Sequence, residues 1–396
     1  MRPFLASLTE LGEGPLSAAF IQSRVRPLFS RVLERIEIYL ANHSLGRPLD
    51  QTALDVAEGL ALWHERLDEA WGPWWEEMQS FRAATAVLAG APRPDCIVPK
   101  ASAGQGLRAV LNSFAGSPRV LATRAEFDSL DTILKQYQAL GRAVVDWVGT
   151  RDDGAIHADD LVPRLRGVDL LVVSQVFFAD GRVLRDVEPL ITAAHAVGAR
   201  VLLDVYHGYG ALPLDLNALD VDFAVAGSYK YLRGGPGCCW LYVSPRVLES
   251  GAATLDTGWF ARREPFSYAR QAGPDLATNG DGWLESTFPP ISFYQARAGL
   301  DFTAALGVPR LREWNLRQKA LLSDLLAARG VRHMGRGEDF GAFLTMPHAD
   351  LPGLVSRLKA AGLNADARSA GVRLCPDLLN TDEELERAAE LLAANL

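Results

Sequence analysis

From about residue 96 the chain alternates between short apolar runs and stretches with helical spacing of apolar positions. RVLAT (119–123), AVVDWV (143–148), DLLVVSQVFF (169–178), ARVLLDVY (199–206) and VDFAVAG (221–227) have the length and β-branched content of buried strands. Helical patterns at 129–140, 159–166 and 186–197 separate several of them. Strand and helix in alternation predict βαβ units, hence an α/β fold whose mainly parallel sheet carries helices on both faces.

The flanks differ. Phe20, Val25, Leu28, Val32 and Ile36 recur near a 3.6-residue period and predict a helix over 15–38. The Asn, Gly and Pro of IYLANHSLGRPLD (38–50) predict a loop, and 51–89 reads as helical, with Trp63, Trp71, Trp74 and Trp75 as core or interface aromatics. Beyond 290 come long helical stretches (292–306 and 308–329), short strands (340–346 and 371–375) and a last helix (381–395), the pattern of a smaller α+β domain. The expected division is an N-terminal segment (1–50) packing with the small domain, a large domain (51–290) and the small domain (291–396). No internal repeat or low-complexity tract interrupts it.

Composition narrows the function classes. A net charge of -8 argues against nucleic-acid or anionic-membrane partners. No apolar run is long enough for a membrane span, and the first residues lack the apolar core of a signal peptide. The four cysteines, Cys96, Cys238, Cys239 and Cys375, show no CxxC spacing, so neither a disulfide framework nor a metal site is expected. A reducing cytoplasm is the expected location.

Three features then fall at the carboxyl ends of expected strands, where open α/β sheets bind ligands. Ser102-Ala103-Gly104-Gln105-Gly106 opens a helix-like run, a geometry that points free N–H groups at a phosphate. Asp204 ends VLLD, with His207 three residues on; a carboxylate there can hold a protonated heteroaromatic nitrogen. Lys230, one of few lysines among many arginines, lies between Tyr229 and Tyr231 before a glycine-rich loop; an amine at the end of an apolar strand is desolvated enough to form a Schiff base. Singly, each has a commonplace explanation: glycine-rich helix starts are frequent, Asp204 can cap a turn beside a core histidine, and most lysines face solvent. In this order they supply partners for the phosphate, the ring nitrogen and the aldehyde of pyridoxal 5'-phosphate.

IYLANHSLGRPL, LLDVYHGYGALPLDL, VDFAVAGSYKYLRGGPG, TGWF and GVRLCPDLLN resemble, in the same order, motifs of the kynureninases, class V enzymes of fold-type I that use pyridoxal phosphate. The resemblance spans about 38 to 380. It implies that Lys230 is the Schiff-base lysine, that Asp204 pairs with the pyridine nitrogen beside His207, and that Ser102 and Ala103 bind the phosphate. It further implies that Phe127 stacks on the cofactor ring, that Tyr229 reaches the phosphate and acts as a catalytic acid, and that Trp259 reaches the phosphate of a neighbouring subunit in a homodimer with shared active sites. Arg373 is implied as the clamp for the substrate α-carboxylate, and Asn42 as a second substrate-binding residue. The chain departs from the family at Arg233, where Asn is usual, at Thr287 and Phe288, where Asn or Thr precedes the proline segment, and after Phe127, where Pro is usual.

The implied reaction is hydrolysis of the Cβ–Cγ bond of an L-kynurenine-type amino acid to anthranilate and alanine, a step of tryptophan catabolism. The alternative is a class V aminotransferase or lyase acting on a different amino acid. Desulfurase chemistry needs a mobile cysteine well after the lysine, and Cys375 sits inside an expected strand. A non-catalytic binding module would have no need of Lys230, Asp204 and His207 together.

Overall fold

In the computed structural model, which describes residues 2–268 and 270–396, the apolar runs between 119 and 227 become adjacent strands of one sheet. After a two-residue strand β1 (Ile38–Tyr39), the central sheet is built from β2 (Ile97–Lys100), β3 (Arg119–Thr123), β4 (Val144–Val148), β5 (Leu170–Ser174), β6 (Arg200–Asp204), β7 (Phe223–Gly227) and β8 (Cys239–Val243). Their spatial order is β2-β8-β7-β6-β5-β3-β4. Only β8 runs antiparallel to its neighbours, with Gly227 and Lys100 both opposite Cys239. The carboxyl ends of the other six strands therefore share one edge. Among them β5, β6 and β7 are buried along nearly their whole length, as strands covered on both faces must be.

Strands β2 and β8 escaped the sequence reading. IVPK is short and carries Pro99, which a sheet tolerates here because β2 is an edge strand. CWLYV directly follows the Gly-Pro-Gly loop and so merges with it by pattern. The fold is the expected fold-type I α/β architecture, with this one reversed strand.

Helix boundaries needed correction where proline intervenes. The helix expected over 15–38 is a chain of short turns, Ala18–Phe20, a π turn Ile21–Val25, a 3-10 turn Arg26–Phe29 containing Pro27, and Ser30–Leu33. Pro27 has no N–H to continue the ladder. Ile36, expected on the inner face, is 99% exposed because the helix has already ended. The stretch 51–89 is two helices, Gln51–Arg66 and Trp71–Ala89, broken at Leu67 where φ is 50°. The helix at 159–166 shortens to Ala158–Leu161, followed by a 3-10 turn around Pro163.

A second core joins the two ends of the chain. Strands β9 (Leu344–Met346), β11 (Asp366–Arg368) and β12 (Gly371–Leu374) form an antiparallel sheet in the order β11-β12-β9, and β10 (Leu363–Asn364) pairs in parallel with β1. Ile38 and Leu40 share this core with Leu322, Leu344, Leu374 and Leu392. The boundary drawn at 290/291 does not match the packing. Helix Pro290–Leu306 puts Phe293, Tyr294 and Leu300 into the large core and turns Phe302 and Leu306 toward Leu5, Ile21 and Phe29 of the N-terminal segment. Among the described residues the small core is built from Leu321 onward, together with Ile38 and Leu40. Among the described residues no helix is long and apolar enough to cross a membrane.

Candidate active site

At the end of β2 the chain turns into helix Ala103–Leu111. Ser102 is its extended N-cap, and its hydroxyl accepts from Gln105 N–H at 3.2 Å. The N–H groups of the first turn have no intrahelical acceptor, and the helix dipole adds positive potential there. Gly106 lets this helix lie against the sheet: a Cβ there would sit 2.5 Å from Val225 Cγ1.

Asp204 ends β6, 5% exposed, and Oδ1 accepts from Tyr206 N–H at 2.9 Å. Burial raises its pKa, while the Tyr206 N–H and the charge of Lys230 pull it back. Its cross-strand neighbour is Ser174. Ser174 donates to Glu126 Oε2 at 2.6 Å and Thr123 donates to Oε1 at 2.7 Å, so a second buried carboxyl lies behind Asp204. Burial pushes Glu126 up to about 8 against those two hydroxyls, with Asp204 adding to the rise. Next along, Gln175 is buried with its Oε1 unpartnered.

Lys230 lies just beyond β7 and is 7% exposed. Its Nζ is 2.7 Å from His207 Nε2, and His207 Nδ1 is 3.1 Å from the Tyr231 hydroxyl. That geometry fits a neutral imidazole donating from Nδ1 and accepting at Nε2. Burial lowers the pKa of Lys230; Asp204 opposes this and Arg373 adds to it. His207 is lowered by burial and then by the Lys230 charge. Three aromatic rings surround the amine, with centroids at 5.5 Å (Tyr206), 5.8 Å (Tyr229) and 5.9 Å (Phe127). Phe127 is braced edge-on by Phe178, and burial raises the Tyr229 phenol so that it keeps its proton at neutral pH.

The N-terminal loop crosses directly over this lysine. Gly46 N–H donates to Tyr229 O at 2.8 Å, and a Cβ on Gly46 would fall 2.0 Å from Lys230 O, so no other residue fits. Arg233, one of the departures from the family, turns its guanidinium to a buried carboxylate. Its backbone is left-handed (φ 61°) and its guanidinium bonds Asp377 at 2.5 and 3.0 Å, with Arg47 also on Asp377. Burial raises Asp377, but the Arg233 and Arg47 charges outweigh it and bring it to about 2. Asn42 adjoins this network, its Oδ1 lying 3.5 Å from Arg233 Nη1.

The neighbouring His43 takes the side facing Arg373. His43, Asp366 and Arg373 are joined by hydrogen bonds, and the His43, His207 and Arg373 side chains all pack around the Phe343 ring. Glu126, Gln175, His43, Asp366 and Phe343 were missed by sequence reasoning, although Glu126 precedes Phe127, His43 follows Asn42 in IYLANHSLGRPL and Gln175 lies in DLLVVSQVFF. Trp259 is not brought to Lys230 within this chain. It packs on Phe260, Phe266 and Tyr268. Phe288 is buried among Trp71, Trp75, Phe260 and Phe293.

One sheet edge thus carries a helix N-terminus, a buried carboxylate, a desolvated lysine and an aromatic face, with an unpartnered amide oxygen between them. This donor set fits pyridoxal phosphate: an anion seat, a partner for a ring nitrogen, a nucleophilic amine and a stacking surface. Among the described residues no cluster of His, Cys, Asp or Glu could hold a metal ion.

Comparison with known proteins agrees. The family model "Aminotransferase class-V" matches residues 57–340. Kynureninase of Bacillus cereus (strain ATCC 10987 / NRS 248) is 26% identical over 378 residues, covering 90% of this chain and 87% of its own. Kynureninase of Shouchella clausii (strain KSM-K16) is 26% identical over 384 residues, covering 91% and 88%. In solved structures, a cysteine desulfurase from Thermococcus onnurineus NA1 superposes with a TM-score of 0.80 at 17% identity, covering 93% of this chain and 96% of that one. The Escherichia coli cysteine desulfurase CsdA gives 0.77 at 20% identity, covering 93% and 97%. At such identities the structures establish the fold alone. With the family model spanning most of its length and the site built to match, the chain belongs to the class V aminotransferase family of pyridoxal-phosphate enzymes.

Proposed function

We propose that this enzyme is a kynureninase-like hydrolase that cleaves the Cβ–Cγ bond of an L-kynurenine-type amino acid. The observation that carries the reading is a buried Arg373 on the Phe343 ring, which also packs on His207, the hydrogen-bond partner of the buried Lys230, in a chain whose curated relatives along nine tenths of its length are kynureninases. Chemistry like that of its desulfurase neighbours is disfavoured, because all four cysteines are buried and burial raises each thiol's pKa.

Pyridoxal phosphate supplies an aldehyde that captures amines and a ring that accepts electrons from the substrate Cα. Ser102 and Ala103 would hold its phosphate at the helix N-terminus, Asp204 would keep a proton on its ring nitrogen, and Phe127 would limit its tilt. Arg373 would take the substrate α-carboxylate. Lys230 would remove the α-proton, since burial favours its neutral amine. Tyr229, which holds its proton, is the candidate acid for Cβ. Water adds at the γ-carbonyl; the Cβ–Cγ bond breaks, the oxygen stays in the new carboxylate and Cβ gains a proton. The products are anthranilate and alanine for kynurenine, as in tryptophan catabolism.

A homodimer belongs to this reading. Trp259 lies away from its own lysine, near the exposed Phe266 and Tyr268, so it would serve a partner's phosphate. The test is incubation of holoenzyme with L-kynurenine and 3-hydroxykynurenine, reading anthranilate and pyruvate. Anthranilate-type product with alanine supports the hydrolase; keto acid without it points to the transaminase or lyase alternative.

A further inference from the structure

Asp366 and Arg373 face each other across the antiparallel pair β11–β12. Arg373 Nε donates to Oδ1 at 2.9 Å, Nη2 donates to Oδ2 at 2.5 Å, and Nη1 donates to Phe178 O at 2.6 Å. A guanidinium has five N–H donors, so one remains on each terminal nitrogen. The carboxylate is held in turn: His43 Nε2 lies 2.6 Å from Oδ1, and His43 is fully buried. Arg368 approaches Oδ2 only at 3.4 Å and is more exposed.

Burial of Arg373 (2% exposed) demands a paired anion, and Asp366 meets that demand from the side of the guanidinium. Nε and one face of Nη2 are consumed, and the Phe178 carbonyl pins Nη1. The group cannot rotate about its long stem without breaking three bonds. Phe343 lies beneath it, 5.5 Å from the guanidinium carbon, and the same ring is 5.6 Å from His207, the partner of Lys230. The guanidinium is thus fixed in height and in rotation relative to the amine.

We propose that Asp366, braced by His43, is a positioning residue for the substrate carboxylate: it grips Arg373 from the Nε side and so presents the two remaining N–H groups as a fork. The inference rests on the reading that Arg373 meets the α-carboxylate, and on nothing about which bond is later cleaved. A purely structural ion pair would affect stability but not the enzyme's preference for ligands that carry a carboxylate.

The test is titration of holoenzyme with L-alanine and with L-alaninamide, which lacks the carboxylate, following the shift of the cofactor's visible band. Asp366→Asn should lower the preference for alanine over alaninamide by about tenfold or more, because an amide turns a donor toward the guanidinium and releases it. Asp366→Glu, which keeps the charge on a longer stem, should recover part of the preference and serves if the Asn variant folds poorly. An unchanged preference in both variants, with Arg373→Ala losing it, overturns the role of Asp366 alone. An unchanged preference in Arg373→Ala overturns the carboxylate clamp itself, and the proposal with it.

Discussion

The amine of Lys230 is hydrogen-bonded to His207 Nε2 at 2.7 Å, while Asp204, the carboxylate whose charge acts most on that amine, bonds the Tyr206 backbone instead. Lys230 is therefore held as an amine beside a neutral base, not locked in a salt bridge. Cofactor uptake by the apoenzyme should rise with pH as the amine loses its proton and level off well below 10.5, the ordinary lysine value, because burial lowers this pKa. Lys230→Ala should bind the cofactor without the lysine-linked visible band and lose turnover. A band that persists in that variant would exclude Lys230 as the anchor.

Arg373→Ala removes the proposed carboxylate clamp. KM for the amino-acid substrate should rise about 10- to 100-fold with a smaller change in kcat, since binding to substrate and transition state is lost together. The same variant strands Asp366, so the melting temperature should fall as well. Steady-state kinetics with a thermal melt separates the two effects.

The Arg233–Asp377 pair makes an asymmetric prediction. Arg233→Asn relieves the left-handed backbone, which Asn tolerates better, and leaves Asp377 still bonded to Arg47. Asp377→Ala instead leaves the buried Arg233 without its anion, costing about 3–5 kcal/mol. Urea unfolding should therefore rank Asp377→Ala well below Arg233→Asn. The reverse order would mean that Arg47 alone does not satisfy Asp377 once Arg233 is gone.

Glu126 makes stability depend on pH. With its pKa pushed from 4.5 to about 8, the folded chain keeps a proton that the unfolded chain has lost between those values. Its contribution is complete below 4.5 and is lost as pH rises through about 8. Glu126→Gln, neutral at every pH, should flatten that fall. Urea unfolding across this window reads the slope; identical slopes in the two proteins would mean that the carboxyl is ionised in the folded state.

A dimer that shares its sites should show in sedimentation as a species of twice the chain mass. Trp259→Ala should weaken cofactor retention without altering that species. A monomer with full cofactor retention would exclude the shared-site arrangement.

The parts of this molecule legible in its sequence are those set by local pattern. β5, β6 and β7 are buried on both sides, so their apolar runs could be read directly, and Lys230, Asp204 and Ser102 stand at or near strand ends where topology confines ligands. Contacts that close over long separations were not legible: His43 meets Asp366 across 323 residues, and neither residue signals the other by spacing. Arg233 stands out in the sequence as a departure from the family, and only its positive φ and its pairing with Asp377 reveal a structural role. Pro27 was visible in the sequence, yet the 3.6-residue pattern overrode it.

The strap over Lys230 also fixes when the site can form. Residues 38–46 cover the lysine only while β1 is paired with β10 and Ala41 is bridged to Cys375, both near the end of the chain. During synthesis the strap is made before β10 and Cys375 and must wait for both before it can dock. The finished pocket therefore needs β10 and Cys375 in place, and a chain truncated before β10 should build the central sheet yet leave its lysine uncovered.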